Sequence, residues 1–381
     1  MIFLTNISVF FYVGLLLFTP HVLSLPMIYF IALVELLFFT LRPSISRSFF
    51  YFIFFILTAG FIASFINAYL SLEFVRQLLI FIIMCLGISR VFSKMGEKHL
   101  INIIWVWLII ESLIVITSGF FNDFALHFHD LFTLTEKGYR YIGDNVLVNR
   151  YSGLSPSGFS LLSIYLSLLL VMLLESNFLS QLKKVTVLFL VVISLLFIGR
   201  SGLFVMILYL FFKSSRYMLS SKGFSYIVLA WSIILLVISL ESFVQTSFLV
   251  FALEPFFKGF DSVTLSTLIN TELFFPDEGL LGSGALIRSE GGVDSDVGWV
   301  KLAAFWGYFF TLLYALSFVV LFFYKLQFNY MFQVLFFITI WFVFNFKDLL
   351  FVSSGYIQAF IILFLISRTR GQDVYPVMRN V

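Results

Sequence analysis

The sequence predicts an all-α integral membrane protein with about 12 transmembrane helices, within a range of roughly 11 to 13. Hydrophobic residues make up 61% of its 381 residues and charged residues only 11%, whereas a soluble domain carries about a quarter charged residues. Apolar runs of about 17 to 22 residues recur from end to end, which is the length that a helix needs to cross a hydrocarbon core about 30 Å thick. The alternating pattern of a transmembrane β-barrel does not occur.

The individual helices follow from these runs and from the polar residues between them. The first run lacks a basic leader and a small-residue cleavage site, so we expect it to be a retained helix. The two runs that flank Gly-Arg-Ser (199–201) are shorter than a full crossing and predict a broken pair that meets at a polar apex. In order, the helices are placed near 2–19, 24–41, 49–69, 72–92, 99–118, 154–174, 184–199, 201–213, 223–240, 299–323, 328–346 and 349–367.

Lysines and arginines in the short loops predict which side of the membrane each loop faces. They collect on one side when both termini and the tail 368–381 are cytoplasmic, and acidic residues then dominate the other side. Two segments on that external side, 119–153 and 241–298, are longer than ordinary connectors, and such loops usually carry function. The sequence thus predicts a single polytopic membrane domain over 1–381, with its chemistry in two external loops.

Several function classes are disfavoured by what the sequence lacks. Cys85 is the only cysteine, so an intrachain disulfide or a thiolate metal cluster cannot form. No GxxxxGK[ST] or GxGxxG motif occurs, and a net charge of +3 is too small to indicate nucleic acid. His127 and His129 have a spacing that suits a metal, but no further external histidine or cysteine could complete a site. We therefore expect no cofactor, no metal and no nucleic-acid partner.

Four arginines fall on the predicted external side, where basic residues are rare: Arg140, Arg150, Arg200 and Arg288. Arg150 belongs to NRYSGLSPSGFS (149–160), which precedes an apolar helix whose N-terminus would attract an anion. Arg200 lies at the apex, between Gly and Ser residues that permit close approach. Because arginine binds phosphate oxygens through a planar fork of donors, the set suits a lipid-linked diphosphate. The alternative is that each arginine pairs with a carboxylate or reaches the lipid headgroups.

Further candidates lie near the second external loop. Asp296 is placed to accept a proton from an attacking hydroxyl, or alternatively to cap the following helix. Trp299 and Tyr151 are candidates for stacking on sugars, with interfacial anchoring as the alternative for tryptophan. Lys347 is either a further phosphate contact or the partner of Asp348.

Two carboxylates, Glu35 and Glu111, fall inside predicted spans. A charged group there is costly and often functional. No histidine accompanies either residue, so the sequence gives little support to a proton pathway.

These motifs together resemble the Wzy-type O-antigen polymerases, which are relatives of the O-antigen ligases. The resemblance rests on NRYSGLSPSG before a mid-chain helix, on GRS between short helices, and on SDVGWVKLAAFWG after a large external loop. It implies a GT-C-like polytopic bundle in the bacterial inner membrane and a metal-independent glycosyltransferase. The partners implied are undecaprenyl-diphosphate-linked glycans, the lipid bilayer and a chain-length regulator.

The resemblance also implies roles for individual residues. Arg150 and Arg200 would hold the diphosphate, with Arg140 and Lys347 as further contacts. Arg288 and Asp296 would be catalytic, Arg288 on the large loop and Asp296 orienting or deprotonating the acceptor hydroxyl. A ligase carries a histidine in the large external loop, and residues 241–298 contain none, which favours polymerase. An O-antigen ligase, a flippase or transporter without catalysis, and a structural or receptor protein remain the alternatives.

Overall fold

A computed structural model describes residues 2–22, 25–37, 47–67, 71–132, 154, 159–216, 226–229, 231–232, 282–284, 297–324 and 331–345. These residues are mostly helical, which agrees with the all-α prediction. Three helical stretches are long and apolar enough to cross a membrane: Lys98–Phe120, Gln181–Ile198 and Gly298–Ser317. Several other apolar helices are shorter. The structure is therefore that of a membrane protein, and the count of about 12 spans stays a prediction.

The elements agree closely with the predicted runs. In chain order they are α1 (Ile2–Phe18), β1 (His21–Val22), β2 (Leu25–Pro26), α2 (Met27–Leu37), α3 (Arg47–Ile66), α4 (Leu72–Met95), α5 (Glu97–Phe120), α6 (Asn122–Leu131), α7 (Phe159–Glu175), α8 (Gln181–Ile198), α9 (Arg200–Arg216), α10 (Gly298–Tyr324) and α11 (Met331–Phe344). The two short strands pair antiparallel. Residues 226–229 and 231–232 are also helical, and the predicted helix 349–367 lies outside the described residues.

Two differences from the predicted elements have physical reasons. The helix expected over 154–174 is described over Phe159–Glu175, and residues 155–158 lie outside the described part of the chain. Leu154 is not helical, because Pro156 two residues later disfavours helix before it. The segment 119–153, expected to be a loop, contains α6. Its first turn carries Asp123, whose charge interacts favourably with the helix N-terminus.

Contacts divide the chain into two compact units, residues 1–38 with 94–262 and residues 39–93 with 263–381. In the first unit, α7 is the central helix, because every residue from 161 to 171 is buried and it packs against α5, α8 and α9. A helix that is buried on all sides needs no polar face. In the second unit, α10 packs against α3 and α11. The single membrane domain over 1–381 stays a prediction.

Contacts at both ends fix the directions of helices in the first unit. Near one end, the Trp105 indole N–H donates to the Lys183 carbonyl oxygen at 3.0 Å. Near the other end, the rings of Phe120 and Phe197 lie 5.3 Å apart. These contacts join α5 to α8 from start to finish, so the two helices are parallel.

The pair α7 and α9 runs the opposite way. At their starts, the Gly202 N–H donates to Ser163 Oγ at 3.1 Å. Twelve residues further along α7, Glu175 forms an ion pair with Lys213 near the end of α9. We call the end where α7 and α9 begin the apex end. The predicted break is present, with Gly199 in an extended conformation (φ 170°) separating α8 from α9. The expectation that both flanking runs are shorter than a full crossing is wrong for α8, because Gln181–Ile198 is long and apolar enough to cross a membrane.

Candidate functional site

The apex end is built around the first turn of α9, which begins at Arg200. The first N–H groups of a helix have no partner within it. One of them, that of Gly202, donates to the hydroxyl oxygen of Ser163 on α7. The hydroxyl oxygen of Ser167 lies 2.8 Å from the Ser163 carbonyl oxygen and 2.9 Å from that of Gly202. Two fully buried serines of α7 thus position the helix turn that carries Arg200.

The closeness of α7 and α9 depends on the missing side chain of Gly202. A Cβ atom there would lie 2.4 Å from the Ser163 carbonyl oxygen and 2.7 Å from both Leu195 Cδ2 and Ser167 Oγ. Any larger residue would collide with backbone, which cannot move aside as a flexible side chain can. Small residues play this role at helix contacts in membranes. Close approach at the GRS turn was expected from the sequence, and the structure places it at Gly202.

Glu111 accepts a hydrogen bond from Leu154, a residue of the NRYSGLSPSGFS motif. Its two carboxylate oxygens lie 3.0 and 3.2 Å from the backbone nitrogen of Leu154, which donates to them. Glu111 is fully buried, and Leu154 is four residues after Arg150 within NRYSGLSPSGFS. A carboxylate considered from the sequence as a proton carrier is thus an acceptor that binds the candidate anion-binding segment.

The contact between Glu111 and Leu154 lies inside the helix bundle rather than at its end. Phe120 ends α5 nine residues beyond Glu111, which is about 13 Å along the helix axis at ~1.5 Å per residue. Leu154 therefore lies well below the end of α5, although α7 begins only at Phe159. Non-helical backbone at such depth is tolerated where protein groups satisfy its polar atoms, as Glu111 does here.

In the second unit, a Gly-Ser-Gly stretch of the predicted large loop contacts a break in α10. Gly307 has φ 74° and ψ 171°, which interrupts the helix. Ser283 N–H donates to the Ala304 carbonyl oxygen at 2.6 Å, and Gly284 N–H donates to that of Phe305 at 3.1 Å. The sequence predicted an unbroken helix over 299–323, so this break is a correction.

The Gly-Ser-Gly stretch supplies backbone donors to carbonyl oxygens that the break in α10 leaves without helical partners. A kink at Gly307 removes helical donors from the carbonyl oxygens of the preceding turn, and buried carbonyls need partners. Gly282 has φ 66°, a conformation that favours glycine. A Cβ on it would lie 2.4 Å from the Gly307 nitrogen and 2.6 Å from the Phe305 carbonyl oxygen. The stretch that ends four residues before Arg288 is therefore seated against α10.

Trp299 lies at the start of α10, where that helix meets the end of α11. Its backbone N–H donates to the Asn345 carbonyl oxygen at 3.2 Å, and its indole N–H donates to that of Phe342 at 3.1 Å. Its ring is 5.1 Å from the Trp341 ring in an edge-to-face arrangement, and the residue is only 8% exposed. Sugar stacking by Trp299 stays a prediction. Asp296 precedes this junction in the sequence, and Lys347 follows it.

The other predicted site residues are only partly covered by the structure. The backbone of Arg200 is described, and it begins α9. Among the described residues, no group of three or more His, Cys, Asp or Glu side chains could hold a metal ion. The residues that lie outside the described part of the chain are Arg140, Arg150, Tyr151, Arg288, Asp296 and Lys347.

Three structural features of the site were missed by reasoning from the sequence. Ser163 and Ser167 are four residues apart on a mostly apolar helix, a spacing that places both on one face. The anchoring role of Glu111 had no local signal, because its partner is a backbone group 43 residues away. The break at Gly307 had only the glycine itself as a signal.

Comparison with known protein families, curated proteins and solved structures finds no match for this chain. Its own residues must therefore carry any functional conclusion.

Proposed function

We propose that the chain is an O-antigen polymerase, a metal-independent glycosyltransferase that joins undecaprenyl-diphosphate-linked oligosaccharide repeat units. One observation carries this proposal: Arg200 begins α9 at the apex end, and Leu154, four residues after Arg150, is bound to Glu111 about 13 Å from the end of α5. Two arginine-bearing motifs that are distant in sequence are thus linked to helices that both pack against α7. This supports the proposed diphosphate site.

The local electrostatics at the apex end favour an anion. Both α7 and α9 begin there, and each helix N-terminus carries about half a positive charge. The Gly202 N–H is already bonded to Ser163, so phosphate contacts at α9 would fall to the Arg200 side chain and to the N–H groups that precede Gly202. Arginine adds charge-assisted, bidentate hydrogen bonds to phosphate oxygens. The combination supplies positive charge without a metal ion.

In the proposed reaction, a hydroxyl oxygen of the acceptor repeat unit attacks the anomeric carbon of the donor. The bond between that carbon and the diphosphate oxygen breaks, and undecaprenyl diphosphate leaves with the bonding electron pair. Asp296 takes the hydroxyl proton. Arg150 and Arg200, assisted by Arg140 and Lys347, stabilise the charge that develops on the leaving diphosphate, and this electrostatic stabilisation supplies most of the rate.

Arg288 completes the proposed catalytic set from the large loop. It follows the Gly-Ser-Gly stretch that is hydrogen-bonded to α10. In the proposal it is a catalytic residue carried by the large loop. Tyr151 follows Arg150 directly, and it would stack on a sugar ring of the same substrate. A chain-length regulator is the proposed protein partner.

We further propose that the protein lies in the inner membrane with both termini cytoplasmic and with the apex end facing the periplasm. The basic residues Lys183 and Lys213, together with Arg216, occur at the end of the first unit opposite to the apex. Basic residues near helix ends favour the cytoplasmic side. The acceptor and donor lipids would then meet on the periplasmic face.

The test is a gel ladder of lipopolysaccharide from a strain that lacks this gene and is complemented with variants. Arg200→Ala should leave lipid capped with a single repeat unit, because the leaving diphosphate loses a donor pair. Arg216→Ala is the matched control, since it removes the same side chain from the other end of α9, and it should restore the wild-type ladder. An unchanged ladder in the deletion strain would contradict the proposal, and complete loss of capping would indicate a ligase or a flippase.

A further inference from the structure

We propose that Glu111 is a positioning residue for Arg150, because it fixes Leu154, four residues later in the chain, against helix α5. The inference deepens the proposed function and rests on it for the consequence to catalysis. Its structural half concerns only the hydrogen bond between the Glu111 carboxylate and the Leu154 backbone, and it can be tested without any substrate.

The geometry gives Glu111 a role beyond packing. Its side chain is fully buried, and both oxygens lie within hydrogen-bond distance of the Leu154 nitrogen. A carboxylate inside a membrane span is costly and is rarely retained without a function. Here the donor is a backbone N–H outside any helix, so the carboxylate satisfies a polar group that the chain itself cannot satisfy at that depth.

Glu35 provides a contrast within the same unit. It is also buried, and it accepts a hydrogen bond from the Tyr12 hydroxyl. That bond joins the side chains of two helices, α1 and α2, and involves no candidate site segment. Glu111 instead joins helix α5 to the backbone of Leu154, which is not in a helix. The two glutamates therefore have similar burial but different structural tasks.

The Glu111 bond restricts where Arg150 can lie. Four residues separate Arg150 from Leu154, and an extended chain spans at most ~3.5 Å per residue, so the two Cα atoms are within about 14 Å of each other. Leu154 is fixed on α5, which packs against α7 and α8. Small errors in the placement of a charged group reduce catalysis strongly.

Two substitutions separate the acceptor function of Glu111 from its charge. Glu111→Gln keeps a carbonyl oxygen that can accept from the Leu154 N–H. Glu111→Leu removes the acceptor, and a leucine side chain suits an apolar span. Glu35→Gln and Glu35→Leu are the matched controls, because they change an equally buried glutamate that binds a side chain.

Hydrogen exchange of the Leu154 amide gives the direct structural measurement on the purified full-length chain in detergent. A buried hydrogen bond slows exchange, and loss of its acceptor should speed labelling of the peptide that contains Leu154 by about 10- to 100-fold. We expect this increase in Glu111→Leu, little change in Glu111→Gln, and none in either Glu35 variant. Equal exchange in wild type and Glu111→Leu would overturn the proposal.

The lipopolysaccharide ladder gives the functional measurement on the same variants. Glu111→Leu should shorten the polymer, and Glu111→Gln should restore it toward wild-type length, a rescue that a purely packing role would not produce. Fast exchange with a normal ladder in Glu111→Leu would overturn the positioning role. The proposed function fails separately if Arg150→Ala and Arg200→Ala leave the ladder unchanged. The exchange measurement would then still decide whether Glu111 fixes Leu154.

Discussion

The substitution Gly202→Ala tests the contact on which the position of Arg200 depends. In an isolated helix this change would stabilise by about 1 kcal/mol, because alanine is the better helix former. In this protein the added Cβ would lie 2.4 Å from the Ser163 carbonyl oxygen. A backbone carbonyl cannot turn away, so the start of α9 must separate from α7.

The magnitude follows from the contacts that separation would disturb. Forcing one extra carbon into a packed contact costs about 1–3 kcal/mol. Separation also breaks the bond from the Gly202 N–H to Ser163 Oγ, and a buried donor left without a partner costs about 1–3 kcal/mol. After the gain in helix propensity, the net destabilisation is about 1–5 kcal/mol. With roughly 2–4 °C per kcal/mol in chains of a few hundred residues, the middle of this range, about 3 kcal/mol, lowers the unfolding midpoint by about 6–12 °C.

The assay is thermal unfolding of the purified protein in detergent, followed by tryptophan fluorescence, together with the lipopolysaccharide ladder. Gly119→Ala is the matched control. A Cβ at Gly119 would also lie 2.4 Å from its nearest atom, but that atom belongs to the half-buried ring of Phe197, which can rotate away. We expect a midpoint within about 2 °C of wild type for Gly119→Ala. Equal shifts of the unfolding midpoint in the two variants, or a normal ladder in Gly202→Ala, would show that the Gly202 contact does not set the position of Arg200.

The remaining predictions concern the large loop and the chemistry at Arg200. Gly282→Ala should lower the unfolding midpoint more than Gly96→Ala. Both glycines have positive φ (66° and 77°), a conformation that costs alanine about 1–3 kcal/mol. Only the Cβ at position 282 would meet backbone atoms, because nothing lies within 4 Å of a Cβ at Gly96. Similar losses would show that the loop is not seated on α10. Arg200→Lys should shorten the polymer nearly as much as Arg200→Ala, because lysine lacks the bidentate fork, whereas Arg216→Lys should not. Full activity of Arg200→Lys in the ladder would argue against a bidentate phosphate contact.

Much of the fold was predictable because hydrophobicity and chain breaks determine it. The ends of α3, α5 and α8 fall within a few residues of the predicted runs. Local chemistry also set the apex, since Gly199 ends α8 and α9 begins at once. The break in α10 was missed, because its apolar pattern continues unchanged through Gly307.

The sequence shows the motifs of the candidate site but not the contacts that position them. The charge of Arg200 and the glycines beside it identify the apex from sequence alone. The supports depend on tertiary contacts with no local signal: the Ser163 hydroxyl binds a residue 39 positions away, and Glu111 binds one 43 positions away. A backbone donor such as that of Leu154 can belong to any residue type, so no sequence pattern marks it.

The most direct measurement is polymerisation by the purified protein in lipid vesicles supplied with undecaprenyl-diphosphate-linked repeat units and a metal chelator. We predict that wild type and Arg216→Ala release undecaprenyl diphosphate and extend the polymer. Arg200→Ala, at the same amount of folded protein, should give neither product. Transport or binding of the lipid-linked units by wild type with no release of undecaprenyl diphosphate would contradict the central claim.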